Sequence, residues 1–384
     1  MGLQIPLIDI SEETERHVFV ARGTESVYHC APTTVLLPDD TTLYAVWTYE
    51  HAGQCGPLKR SADGGLTWSG LLPVPESWSR VRNAPTIYRL VAPDGHARLF
   101  VFAGCQAAPG EPPTENTMQQ SHAADDGATW SPMASNGLEC VMPFCSIEPV
   151  DGGSRLLGMS NIRRAVDRDA PLTPAGHKGN RIAQSVSSDG GLTWSPWDIV
   201  LDIPPHIPIN PEIVRSPDGS QLLCLMGDKG GRWETMNRSL FMTSDDEGAT
   251  WSEPRELPLG LTGDRPKHRY AHDGRLVVTM RNTAPGCPDT GDLVAWIGTY
   301  DDVVMGREGQ YRARLLRTHA GADASYPAIE LLPDGTFVAT TYIKYRPGKE
   351  RHSIVSVRFT LAELDRKESV GFAVSAGRPT DYDA

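Results

Sequence analysis

Residues 187–196 read SSDGGLTWSP, and residues 61–70 read SADGGLTWSG. The same skeleton returns as AADDGATWSP at 123–132 and as SDDEGATWSE at 244–253. Its tryptophans, Trp68, Trp130, Trp194 and Trp251, stand 62, 64 and 57 residues apart. Repetition at such a period marks an array of small supersecondary units that bury their faces against one another.

A second pattern covers more of the chain. A proline-containing start, an apolar run, a turn that often holds Asp-Gly and a second apolar run recur six times. Examples are APTIYRLVAPDGHARLFVF from Ala84, NPEIVRSPDGSQLLCLM from Asn210 and YPAIELLPDGTFVATTY from Tyr326. The starting prolines are Pro32, Pro85, Pro143, Pro211, Pro266 and Pro327, spaced 53 to 68 residues apart. Each copy reads as a hairpin, because Asp-Gly suits the positive-φ positions of a tight turn. The tryptophan-bearing stretch then joins two further strands. Four antiparallel strands per unit, repeated radially, predict an all-β fold: a six-bladed β-propeller. HVFVA (17–21) and HSIVSVRF (352–359) lie near opposite ends of the chain and are expected to close the ring in one shared blade. Residues 1–366 read as one propeller domain, and 367–384 as a polar, peripheral tail.

Composition agrees with a globular protein and narrows its partners. The chain has 384 residues, 39% hydrophobic and 22% charged, with 37 glycines and 31 prolines between short apolar runs. Net charge is −12 and no basic tract occurs. Nucleic acid and membrane surfaces are therefore not expected as partners, although a local cluster of Arg and Lys can still hold a small anion. The opening MGLQIPLIDISEETERHVFV lacks the basic-then-apolar order of a secretory signal. Seven cysteines without a C-x-x-C pair suggest reduced, buried thiols. Together these predict a cytoplasmic protein as written, or a secreted or periplasmic one if a signal has been trimmed. No Walker loop, G-x-G-x-x-G or G-x-S-x-G motif is present, and no cofactor and no metal is expected.

The four near-copies match S/T-x-D-x-G-x-x-W, with Ala123 replacing the usual Ser in the second. Their aspartates, Asp63, Asp125, Asp189 and Asp246, can accept turn amides, glycine frees the backbone, and tryptophan can pack between sheets. This reading is architectural. With six proline-started units it resembles the Asp-box propellers of the sialidase (neuraminidase) superfamily over nearly the whole chain. That resemblance implies boxes on the rim away from the active site, and chemistry at the opposite mouth of the channel.

It also implies site residues. ASYPAIELLPDG is similar to the family segment carrying a tyrosine nucleophile, which places Tyr326 in that role. INPEIVRSPDG is similar to the segment carrying the glutamate that partners the tyrosine, which places Glu212 there. Tyrosine nucleophiles are a known exception to the two-carboxylate scheme, and a carboxylate neighbour can take the phenol proton. The family's general acid lies in a loop that here reads WTYEHAGQCG, with Glu50 and His51 as nearest candidates; burial would be needed to poise the glutamate. The first of the family's three carboxylate-binding arginines is replaced by His29. Further residues near blade starts and strand ends are candidates for substrate contact: Arg82, Asn83, Asn210, Arg232, His268, Arg281 and Asn282. Asp228, Lys229, Arg163, Arg164, Lys267 and His206 lie at similar positions. Three forked guanidiniums on one carboxylate are a specific device, and sequence alone does not assign them.

Three functions follow. The first is a retaining exo-glycosidase of the sialidase type that removes a terminal acidic sugar. The second is a propeller hydrolase or polysaccharide lyase for another sugar, using His and Tyr as acid and base. The third is a non-catalytic glycan-binding propeller. A carbohydrate partner is common to all three, and oligomeric state is not legible.

Overall fold

A computed structural model describes residues 3, 5–104, 117–140, 142–163, 179–230, 237–287 and 290–376. Two strands, β1 (Leu7–Asp9) and β2 (His17–Ala21), precede the first blade. Blade one holds β3 (His29–Leu36), β4 (Leu43–Tyr49) and β5 (Cys55–Ser61); blade two holds β6 (Arg82–Val91), β7 (Ala97–Gly104), β8 (Thr117–Ala123) and β9 (Ala134–Glu139). Blade three runs β10 (Ser146–Val150), β11 (Arg155–Arg163), β12 (Asn180–Ser187) and β13 (Asp198–Leu201). Blade four runs β14 (Pro208–Arg215), β15 (Leu222–Asp228), β16 (Leu240–Ser244) and β17 (Arg255–Glu256). Blade five holds β18 (Gly263–Tyr270), β19 (Leu276–Asn282), β20 (Leu293–Gly298) and β21 (Tyr311–Leu316). Blade six holds β22 (Ala328–Leu331), β23 (Phe337–Ile343) and β24 (Ser353–Phe359).

This is a six-bladed propeller of antiparallel blades. The ring closes as expected: β2 is the outermost strand of blade six, with His17 opposite Val357. Two blades depart from four strands. Blade one has three, and Leu72 N donating to Leu58 O at 2.9 Å is what remains of a fourth edge. Blade five gains β1, which pairs in parallel with β21 on its outer edge. Helix α1 (Tyr300–Val304) links two strands of blade five, and α2 (Leu361–Ala376) follows the last strand. Leu361 and Leu364 of α2 are buried, so the helix starts within the core before entering the polar segment.

The boxes behave as turn clamps between the third and fourth strands. Ser187 Oγ donates to Asp189 Oδ1 at 2.9 Å and accepts from Gly191 N at 2.8 Å. Asp189 Oδ1 also accepts Thr193 N at 2.9 Å. Gly191 has φ +95° and lies so close to blade two that a Cβ would meet Leu90 Cδ1 at 2.6 Å, so only glycine fits. Trp194 packs on Phe144, ring centroids 4.2 Å apart, and reaches Phe102 of blade two at 6.0 Å. The clamp thus fixes one blade against the next, and it stands at the end of the ring opposite the blade starts.

Candidate functional site

Five of the six innermost strands are kinked near their prolines. Ala31, Asn83, Asn210, Arg265 and Ser325 have φ between +50° and +71°. Register shifts follow between Cys30 and Thr33, Arg82 and Thr86, Ile209 and Glu212, and Asp264 and Lys267. Left-handed backbone at non-glycine residues is costly and persists where surrounding structure enforces it. The result is two layers in the channel. Residues before the proline face the mouth and residues after it face the lower channel. Between them lies a narrow space of about 40 Å³, lined by Pro32, Pro85, Pro143, Pro266 and Pro327.

Tyr326 stands at the mouth side and is 8% exposed. The Arg265 guanidinium lies over its ring, 3.1 Å from the centroid, and that of Arg281 is 5.3 Å away. Such face-on placement is favourable for a cation on an aromatic quadrupole. Arg281 is tied to the scaffold through its terminal nitrogens. It bonds the Asp264 carboxylate and donates to Ala322 O at 2.8 Å and Ala324 O at 3.2 Å. Asp264, with no exposed surface, also accepts from Asn210 Nδ2 at 2.8 Å. Burial alone would raise its carboxyl, but Arg281, Lys229 and Arg265 outweigh burial and hold it well below the usual range. Burial pushes the Lys229 amine down to about 7, against the opposing pull of Asp264. Arg265, Arg281 and, below about pH 7, Lys229 therefore face one carboxylate in a protein of net charge −12.

A second carboxylate organises the rim. Asp323 accepts the Tyr28 hydroxyl at 2.9 Å and the Tyr342 hydroxyl at 3.2 Å. His51 Nδ1 is 3.8 Å from the same carboxylate, and its ring lies edge-on to Tyr326 with centroids 6.3 Å apart. Burial keeps His51 below its ordinary value; Asp323 opposes this, and Arg265, Arg281 and Lys229 reinforce it. Neighbouring Glu50 is tied to Arg351 by two bonds of 2.5 and 2.7 Å. Its side chain is 51% exposed, so the burial that an acid role needs is absent.

Several expected residues lie elsewhere. Glu212 sits below the prolines: its carboxylate meets Lys267 Nζ at 2.6 Å and His268 Nδ1 at 2.8 Å, and no hydrogen bond joins it to Tyr326. The pairing of Glu212 with Tyr326 is thus not formed, because Glu212 follows its proline whereas Tyr326 precedes its own. His268 belongs to this lower layer too. His29 is buried, with the Trp47 indole donating to Nδ1 at 2.9 Å. Its Nε2 therefore carries the proton and donates to Arg22 O at 3.2 Å, which leaves no ring nitrogen for substrate. Asn282, also fully buried, accepts from Arg312 at 2.9 Å and supports the scaffold. Asn83 Nδ2 is 3.6 Å from Met142 Sδ, and Arg82 pairs through its backbone with Gln54. Asp228 is walled off by His206 at 2.6 Å and Ile207 N at 2.9 Å. Arg163 is exposed at the end of β11. Arg232 and Arg164 lie outside the described residues. Arg265, Asp264 and Asp323 were not among the expected site residues. The proline register could have found the first two, since they are the two residues before Pro266.

Similarity to known proteins agrees with this architecture. The family model of a BNR repeat-like domain matches residues 173–302. A sialidase of Micromonospora viridifaciens is 31% identical over 109 residues, covering 26% of this chain and 16% of that protein. The chain thus spans about one sixth of the length of that curated relative. Among solved structures, an alpha-L-arabinanase of Penicillium chrysogenum in complex with arabinobiose superposes with a TM-score of 0.61 at 17% identity, covering 91% of this chain and 98% of that one. The NanB sialidase of Streptococcus pneumoniae gives a TM-score of 0.59 at 10% identity, covering 92% and 73%. Repeat, clamp geometry and ring together make this chain a six-bladed β-propeller that carries a BNR repeat-like domain and resembles the sialidases.

Proposed function

We propose that the protein is a glycosidase that removes a terminal, carboxylate-bearing sugar at the channel mouth, with Tyr326 as nucleophile. The observation that carries this reading is the Arg265 guanidinium on the Tyr326 ring, within a cluster where cations outnumber carboxylates. Arg265 has no carboxylate within 4.0 Å among the described residues, so its fork is open to a substrate carboxylate. Arg281, held by Asp264, supplies fixed positive potential behind it. A phenol is a suitable nucleophile beside a substrate carboxylate, because it approaches without a charge that the carboxylate would repel. His51, whose Nδ1 lies 3.8 Å from the Asp323 carboxylate, takes the phenol proton. The phenolic oxygen bonds the anomeric carbon as the glycosidic bond breaks, and the departing oxygen is protonated at the solvent-open rim. Water then cleaves the tyrosyl glycoside, which retains configuration.

The sialidases and the arabinanase among similar proteins support a carbohydrate substrate. They do not choose between acidic and neutral sugars; the cation cluster favours the acidic one. A second reading draws on the Asp323–His51–Tyr326 arrangement, which also suits acid–base elimination from a uronic acid. The deciding test is turnover of terminal acidic glycosides compared with polyuronates. Hydrolysis without ultraviolet absorbance, lost in Tyr326→Phe, supports the first reading. An absorbing unsaturated product supports the second. Binding without turnover in the parent chain rejects both and leaves a glycan-binding propeller.

A further inference from the structure

Below the proline constriction the channel widens into a cavity of about 530 Å³. Residues of all six inner strands wall it, and it opens at the end of the ring opposite Tyr326. Its volume lies in the range of small-molecule sites. Its lining is charged to a degree that a packing core does not need. Glu212 is 4% exposed and binds Lys267 and His268. Glu330, 3% exposed, accepts Arg269 Nη2 at 2.7 Å and Thr34 Oγ1 at 2.9 Å. Arg269 nonetheless keeps 43% of its side-chain surface accessible, which is surface presented inside the ring.

Arg89 is the residue that the scaffold leaves over. It lines the cavity, its Nε is buried without a partner, and no carboxylate lies within 4.0 Å among the described residues. Glu148, on the same wall, is already matched by Arg215 at 3.0 Å. Asp40 lines the cavity but is exposed to solvent. Lys267 and Arg269 are matched by Glu212 and Glu330, which leaves Arg89 without a carboxylate partner among the described residues. A buried guanidinium donor without an acceptor is costly unless a ligand supplies one. Carboxylate oxygens and the Thr34 hydroxyl offer partners for ligand hydroxyls on the same wall.

We propose that the lower cavity is a second ligand site, which takes a hydroxylated monoanion of monosaccharide size with its anionic group at Arg89. The site does not depend on what the mouth does, and its test is kept separate from turnover. The probe is D-glucuronate, titrated into the full chain by calorimetry, with glucose and inorganic sulfate as the neutral and unhydroxylated comparisons. The mouth is first blanked by Arg265→Met with Tyr326→Phe. One saturable glucuronate site is expected to remain, weakened at least tenfold by adding Arg89→Met; sulfate should compete and glucose should not bind. Loss of all glucuronate binding in the mouth-blanked chain would overturn the proposal, as would binding indifferent to Arg89→Met. Circular dichroism and thermal melts check that each variant is folded. If the blanked chain does not fold, Arg89→Lys and His268→Gln in the parent replace it. Weaker binding in either supports the site, and unchanged affinity in both rejects it.

Discussion

Arg265 lays its guanidinium 3.1 Å from the centre of the Tyr326 ring, and the two residues come from the starts of neighbouring blades. One holds the position before Pro266 and the other the position before Pro327. This contact joins a forked cation to a phenol at the channel mouth. Arg265→Met should lower kcat/KM toward an acidic glycoside by roughly a hundredfold, chiefly through KM. Arg265→Lys should recover only part of the loss, because an ammonium lacks the planar fork. Steady-state kinetics on matched acidic and neutral substrates check this, and the neutral substrate should respond much less.

Asp323→Asn tests whether the rim carboxylate positions a base. The change keeps an acceptor for Tyr28 and Tyr342 but removes the charge that raises His51. His51 then stays unprotonated to lower pH. The acid limb of kcat/KM should move to lower pH, while kcat falls about tenfold to a hundredfold. A purely structural role would lower activity without moving the limb.

Lys229 gives a stability signature of unusual sign. Its amine falls to about 7 in the folded chain, from an ordinary value of 10.5. Between those values the unfolded chain holds a proton that the folded chain releases, so this residue makes stability rise with pH. Below pH 7 the charged amine is carried into the fold at a cost. Lys229→Met should therefore raise the melting temperature most below pH 7, and the gain should shrink toward pH 10. Melts across that range check the slope.

The second box has Ala123 where the others have Ser61, Ser187 and Ser244. In those three, the serine hydroxyl bonds the box aspartate and accepts a glycine N–H. Ala123→Ser should add the same two bonds and stabilise the chain by about 1 kcal/mol. Asp189→Ala should cost about 1–2 kcal/mol. Neither change should alter kcat/KM, since the boxes stand at the end of the ring away from the mouth. Chemical denaturation and kinetics on the same samples test both halves.

Blade number, hairpins, box clamps and ring closure were legible because each rests on local chemistry repeated along the chain. Asp-Gly turns, β-branched runs and a proline at every blade start leave little freedom in the topology. The site was legible only in part. Tyr326, His51, Asn210 and Arg281 do meet at the mouth. Glu212 was expected beside them from its place at a blade start, yet it stands one residue after its proline whereas Tyr326 stands one before, and that two-residue difference puts them on opposite sides of the constriction. The positive-φ kinks at Asn210 and Ser325 set that register, and periodicity does not report them. Aligning the blades on their prolines separates Tyr326 and Arg265 from Glu212 and Lys267. Asp323 carried no such marker, because it lies in the link between blades five and six and acts through partners far apart in sequence. His29 looked available until its indole partner fixed its tautomer.

The most direct measurement is trapping of the nucleophile. A fluorinated, carboxylate-bearing glycosyl inactivator is incubated with the protein, and the modified peptide is located by mass spectrometry. A single adduct on the Tyr326 oxygen is expected, absent in Tyr326→Phe, with loss of turnover in step with labelling. An adduct on Asp264, Asp323 or Glu212, or undiminished turnover by Tyr326→Phe, would contradict that role for Tyr326.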